Sequence, residues 1–325
     1  MLFVSKDNPV ETTILLYLTF ALHKFYDMNT QEKNPDKKII PAVPLKKLET
    51  LWLQVGGTLC NLECTHCFIS CGPKNDTIPM MTLLQVEERL EESKTLGVRD
   101  YYITGGEVFI NPEIFEILEA ILSYGPLDVL TNGTQITAEK AQQLRKIQDA
   151  SDHPLRFRVS MENFEESAND AIRGKNAYKK AVTGISHLAQ AGFSPILTIT
   201  RSWDEEQEAE MKLQFVEFLR RHQVPSPQIK ILPGFKLGKL AENEGTYNDD
   251  ERVTEACFEN FDITELQCAT SRMATGQGVY VCPILVDNPK ARMGNNIEET
   301  LRPFPLAHPA CYTCRVTGMT CKSSA

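Results

Sequence analysis

Short apolar runs alternate along this chain with segments in which apolar residues recur every three or four positions. The runs Leu51 to Val55, Tyr101 to Thr104, Leu127 to Thr131, Leu155 to Met161, Pro195 to Thr200 and Gln228 to Leu232 read as strands. The stretches between them have helical punctuation. Thr82 and Gln85 form a capping box ahead of Leu83, Val86 and Leu90, and Asn111-Pro112 opens a helix whose Ile114, Ile117, Leu118 and Ile121 share a face. Tyr178, Ala181, Ile185 and Leu188 mark a third helix, and Met211, Phe215, Phe218 and Leu219 a fourth. Strands that alternate with helices in this way build a parallel sheet or barrel.

The fourth run alternates strictly from Leu155 to Met161, whereas a parallel strand buried on both faces is apolar throughout. With Leu155, Phe157 and Val159 against the helices, Arg156, Arg158 and Ser160 point inward. Gln54, Thr198, Thr200 and Lys230 are expected to join them. So many polar groups predict a partly open barrel with a wet, charged lumen, a candidate substrate cavity. After Leu232 the periodicity stops. The chain is therefore divided into an N-terminal extension with a helix over 1–48, the barrel over 49–232, and a small domain over 233–325 with little regular structure, held together by metal.

Composition narrows this further. With 325 residues, 42% apolar and 24% charged, the chain is long enough for a large domain and a small one and is neither disordered nor a membrane bundle. A net charge of -9 opposes attachment to phosphate backbones, so no nucleic-acid partner is expected. The apolar stretch from Thr13 to Leu22 is too short to cross a bilayer and has no small-residue cleavage site, which excludes stable membrane insertion and predicts a cytoplasmic location. Ten cysteines are unusual for this length, and they fall into two sets, 60 to 71 and 257 to 321, with none between.

In the first set, Cys60-x-x-x-Cys64-x-x-Cys67 follows the first strand directly, in the loop where an α/β barrel keeps its chemistry. Three thiolates on one loop can hold three irons of a four-iron cluster and leave the fourth open. Zinc, the rival, favours C-x-x-C pairs. Cys71 reads as a bystander or a nearby reactive thiol.

This triplet, with His66 at the aromatic position before Cys67, resembles the signature of the radical S-adenosylmethionine (SAM) superfamily. The resemblance covers about residues 49 to 232. It implies an α/β fold, a partial (β/α)6 barrel of the radical SAM type, and a [4Fe-4S] cluster bound by three cysteines plus SAM. Thr104-Gly105-Gly106-Glu107 resembles the family's GGE motif, in which the glutamate accepts from the SAM ammonium. Asn132-Gly133 resembles the turn lining the same pocket, Ser160 with Glu162 the ribose-contacting position, and Arg173 the arginine near the SAM carboxylate.

Cys268, Gly278, Cys282 and the pair Cys311-x-x-Cys314 resemble the shortened auxiliary-cluster domain called twitch, related to the longer SPASM domain. The resemblance implies a small C-terminal cluster-binding domain with one auxiliary [4Fe-4S] cluster, for which a zinc knot is the rival. Cys321 can replace one of the pair at 311 and 314. The leftover thiols Cys257 and Cys321 are candidate catalytic hydrogen-atom donors to a substrate radical.

The expected activity is that of an oxidoreductase or isomerase. It cleaves SAM reductively to a 5'-deoxyadenosyl radical, abstracts hydrogen from its substrate and passes an electron to the auxiliary cluster. A flavodoxin- or ferredoxin-type partner supplies the first electron. For the substrate the expectation is a small polar, possibly anionic, metabolite bound by Arg156, Arg158 and Lys230. A ribosomal-peptide-modifying maturase is the alternative, disfavoured because residues 1–48 are short for a leader-recognition domain. Readings from other classes are a non-catalytic iron-sulfur electron-transfer protein and a zinc-stapled binding protein.

Overall fold

The computed structural model describes residues 40–318, 320 and 321; the helix expected over Thr13 to Leu22 lies outside them. The first elements are β1 (Ala42–Val43) and β2 (Thr50–Leu53). Next come α1 (Leu83–Lys94), β3 (Asp100–Ile103), α2 (Ile114–Leu122), β4 (Leu127–Thr131), α3 (Ala138–Asp149) and β5 (Leu155–Ser160). The barrel continues with α4 (Glu166–Arg173), α5 (Ala177–Gln190), β6 (Ile196–Thr200), α6 (Glu208–Arg221) and β7 (Gln228–Leu232). All six expected strands are present to within two residues. The Thr82–Gln85 capping box starts α1 as the spacing requires.

β2 to β7 are parallel and lie in chain order, each bonded to the next. Helices cover one face. Between them and the strands lies a core that includes Leu51, Ile103, Val129, Phe157, Leu197 and Phe215. The opposite face of β2 carries Trp52, with Gln54 just past the end of the strand, and both are fully buried.

The C-terminal part departs from expectation. After α7 (Gly238–Glu244) come β8 (Ser271–Thr275), β9 (Gly278–Tyr280), β10 (Arg292–Gly294), β11 (Phe304–Pro305) and α8 (Ala310–Thr317). β8 runs parallel to β2, pairing Thr50 with Ser271 through Leu53 with Ala274. β9 and β10 add antiparallel strands, giving a nine-stranded sheet ordered β10-β9-β8-β2-β3-β4-β5-β6-β7. Ser-Arg-Met-Ala-Thr has neither an apolar run nor alternation, which is why its pattern did not read as a strand. From Ile40 onward the chain is one compact unit.

Candidate active site

β2 ends at Leu53, and the chain turns at once into the loop that carries the first cysteine set. That loop is held by the end of β3. Gly106 N–H donates to Gly57 O (2.9 Å) and Glu107 N–H to Leu59 O (3.0 Å), while Cys60 N–H reaches Gly72 O (3.1 Å). A Cβ on Gly106 would sit 2.0 Å from Leu59 O. On Gly105, whose φ is +143°, it would sit 2.7 Å from Gly56 Cα. The two glycines thus admit the backbone of the cysteine loop.

Glu107 also differs from expectation. It is fully buried and does not line the cavity. Oε1 accepts from Thr131 Oγ1 (2.7 Å) and Phe109 N–H (3.1 Å), and Oε2 from Asn132 N–H (2.7 Å). Burial raises its carboxyl above the usual range against these three donors. Three of its roughly four acceptor sites are taken up in tying the end of β3 to the turn after β4, so it organises the wall of the pocket from behind.

A cavity of about 210 Å³ opens over this region. Cys60, Cys64, Cys67 and Cys71 border it, with His66, Gly105, Gly106, Asn132, Ser160, Glu162 and Arg173. The Cys71 thiol and backbone N–H both bond to Cys67, and together with neighbouring backbone donors they bring Cys67 down to about 6. Burial pushes the Cys60 thiol up to about 12 and raises Cys64 as well. Asn132 Nδ2 stands 3.7 Å from Cys60 Sγ. α7 lies across the loop: Lys239 N–H donates to Cys67 O (3.0 Å) and Asn243 Nδ2 to Thr65 O (2.7 Å). Nothing in the residue pattern after Leu232 signalled that lid.

Glu162 gathers three partners, Arg173 Nε (3.1 Å), His66 Nε2 (2.9 Å) and Thr200 N–H (2.8 Å). Burial alone would raise its carboxyl, but Arg173 and His66 hold it at about 2. Of the residues expected in the lumen, Gln54, Arg158, Thr198 and Thr200 line the cavity. Arg156 does not reach it. Its Nε bonds Asp128 Oδ2 (3.0 Å), the residue opposite it on β4, and its charge is satisfied there. Lys230 is also absent from the lining. Trp52, whose place in an apolar run signals a strand and nothing more, lines the cavity stacked on Tyr102 with ring centroids 4.3 Å apart.

A second, smaller cavity is lined by Cys268, Cys282, Cys311, Cys314 and Cys321 with Gln267. α8 places Cys311 and Cys314 one turn apart on one face. Gly278, at the head of β9, has a φ of +133°, and a Cβ there would meet Gly294 O at 2.6 Å. Burial raises all five thiols, Cys268 and Cys321 to about 12 and Cys282 to about 11. Cys321 borders both cavities. Cys257 borders neither: its Sγ accepts from Thr254 N–H (3.4 Å) in a short 3-10 turn.

The donor sets suit iron-sulfur clusters. A cuboidal cluster spreads its thiolates around several metals, and at least three cysteines border each of the two cavities. Three residues that line the first cavity carry buried polar atoms without a hydrogen-bond partner: Trp52 Nε1, Gln54 Oε1 and His66 Nδ1.

Residues 55–211 match the radical SAM superfamily. Mycofactocin maturase MftC of Mycobacterium tuberculosis is 33% identical over 146 residues, 44% of this chain and 36% of that protein. The antilisterial bacteriocin subtilosin biosynthesis protein AlbA of Bacillus subtilis is 27% identical over 135 residues, 41% of this chain and 29% of that protein. The chain thus spans about a third of the length of the curated relatives it matches. Streptococcus suis SuiB bound to precursor peptide SuiA superposes with a TM-score of 0.60 at 16% identity, over 94% of this chain and 72% of that one, a likeness of fold. The cysteine triplet on the loop after β2, the two glycines beneath it and most of the partial barrel around both lie in the segment 55–211 that matches the radical SAM superfamily, whose members bind a [4Fe-4S] cluster and SAM.

Proposed function

We propose that this chain is a peptide-modifying radical SAM enzyme, with a second, auxiliary [4Fe-4S] cluster in the C-terminal segment. The observation that carries the peptide reading is a pair of unmatched groups two residues apart, one on β2 and one just past its end. Trp52 Nε1 is a buried donor without an acceptor, and Gln54 Oε1 a buried acceptor without a donor. A peptide group supplies one of each. Around them the cavity wall is apolar, with Phe68, Ile69, Phe235, Met273 and Ile284, which suits a side chain more than a polar metabolite. The expectation of a small anionic metabolite rested on Arg156, Arg158 and Lys230, of which Arg158 alone lines the cavity. The maturase and precursor-peptide descriptions of MftC and SuiB support the same choice.

When bound, the first cluster and SAM supply a 5'-deoxyadenosyl radical that abstracts hydrogen from the substrate. The chain's own residues position and exclude water. Cys60, Cys64 and Cys67 hold three irons, and Asn132, Ser160 and the Glu162–Arg173–His66 group frame SAM. Cys268, Cys282 and two of Cys311, Cys314 and Cys321 hold the auxiliary cluster. The net outcome is an oxidation or an isomerisation of a residue, with the electron delivered by a flavodoxin- or ferredoxin-type donor.

The test is anaerobic reconstitution, iron and sulfide counting, and assay of 5'-deoxyadenosine with reductant, SAM and a candidate precursor peptide encoded nearby. Release of 5'-deoxyadenosine with a mass change in the peptide is expected. Cluster-loaded protein that cleaves no SAM overturns the enzyme reading, and SAM cleavage with a polar metabolite but no peptide turned over overturns the substrate class.

A further inference from the structure

Arg272 is a fully buried cation on β8. Four of its five N–H groups have partners in the backbone: Nε donates to Thr300 O (3.1 Å), Nη1 to Cys268 O and Ser271 O (2.7 Å each), and Nη2 to Arg302 O (3.1 Å). Every acceptor is a neutral carbonyl, and among the described residues no carboxylate forms an ion pair with it. Hydrogen bonds to carbonyls relieve part of the loss of water, but a buried charge without a counter-charge remains costly. Its charge favours the thiolate forms of Cys268 and Cys282 over the thiols. Both line the second cavity, and the Arg272 guanidinium grips the backbone of one of them.

We infer that Arg272 is the fixed counter-charge of the auxiliary cluster, a positioning residue whose cation is balanced when four thiolates and their irons carry net negative charge in this cavity. The inference rests on the auxiliary-cluster reading. Reduction adds one more negative charge to the cluster, so a nearby cation favours the reduced form and raises the potential. Without the cluster, the same cation weakens the fold.

The experiment uses the full chain, and iron counting on the wild type comes first, since a protein with no second cluster ends the auxiliary-cluster reading itself. Arg272→Met and Arg272→Lys are then titrated potentiometrically, with the auxiliary cluster followed by electron paramagnetic resonance in a Cys60, Cys64, Cys67 triple alanine background. Arg272→Met is expected to shift the one-electron reduction equilibrium at least tenfold toward the oxidised form, equal to 59 mV or more. Arg272→Lys keeps the charge but not the fork, and is expected to stay within threefold of wild type even where its melting temperature falls. If Met cannot load the cluster and Lys can, the charge is again responsible. An unchanged potential in a loaded Arg272→Met protein, a Lys variant that shifts tenfold, or failure of both to load overturns the proposal and leaves Arg272 as a backbone clamp.

Discussion

Glu162 and Arg173 form a buried ion pair beside the cysteine loop, with Arg173 Nε 3.1 Å from Glu162 Oε1, and His66 of that loop shares the same carboxylate oxygen. The family resemblance had assigned Glu162 to ribose and Arg173 to the SAM carboxylate as separate contacts. The structure joins them, so changing either one leaves the other's charge buried alone.

A pH dependence follows. The folded Glu162 carboxyl titrates at about 2 against an ordinary 4.5, so the folded state binds fewer protons than the unfolded one between those values. Its contribution, about 3 kcal/mol, is complete above about pH 5 and is lost as the pH falls toward 2. The groups facing it are Arg173 and His66, and Cys64 lies nearby. Glu107, whose carboxyl is raised by burial, works in the opposite sense. Denaturant melts from pH 7 to pH 3 should therefore show a shallower loss of stability in Glu162→Gln than in wild type; equal slopes would remove Glu162 as the source.

Glu107→Ala separates a structural role from a ligand role. With two backbone N–H groups and the Thr131 hydroxyl left unsatisfied, the cluster-free, SAM-free protein should lose roughly 2–4 kcal/mol. Thermal melts of the apo protein check this. A variant that melts like wild type but binds SAM poorly would restore the ligand contact expected from the motif.

Gly106→Ala should displace the cysteine loop, because the added methyl carbon would sit 2.0 Å from a backbone carbonyl oxygen. Iron content should fall by about half, from roughly eight atoms to about four, as in the Cys60, Cys64, Cys67 triple alanine variant. Full iron loading in Gly106→Ala would mean the loop can move aside at little cost.

Trp52→Phe removes one N–H and keeps the ring stacked on Tyr102. If that N–H meets a peptide carbonyl, KM for peptide should rise about 3- to 10-fold, about 1 kcal/mol, with little change in the affinity for SAM. Steady-state kinetics with the turned-over peptide and a SAM titration give the two numbers.

The barrel was legible because its signals are local. Six apolar runs, a capping box and a strictly alternating strand each carry their own period, and Cys60, Cys64 and Cys67 advertise a cluster by spacing. Partnership was not legible. Arg156 and Arg158 look equivalent on one face of β5, yet Asp128 neutralises Arg156 and leaves Arg158 to the cavity. Glu107 reads as a ligand group until its three internal donors are seen. Arg272 and Trp52 sit in segments whose composition is unremarkable, and their roles come from which charges and polar atoms the fold leaves unmatched.

The pairing of β8 with β2 has a practical consequence for anyone who wishes to study either cysteine set by itself. Cutting the chain after Leu232 would strip the outer neighbour from Thr50–Leu53, a strand buried along its whole length, and turn it into a bare apolar edge ready to pair with another molecule. A fragment made that way is expected to clump, and the fragment beyond it would lack the strand on which β8 forms. The two halves are best regarded as co-purifying parts of one object, to be silenced by point substitution and never by scissors.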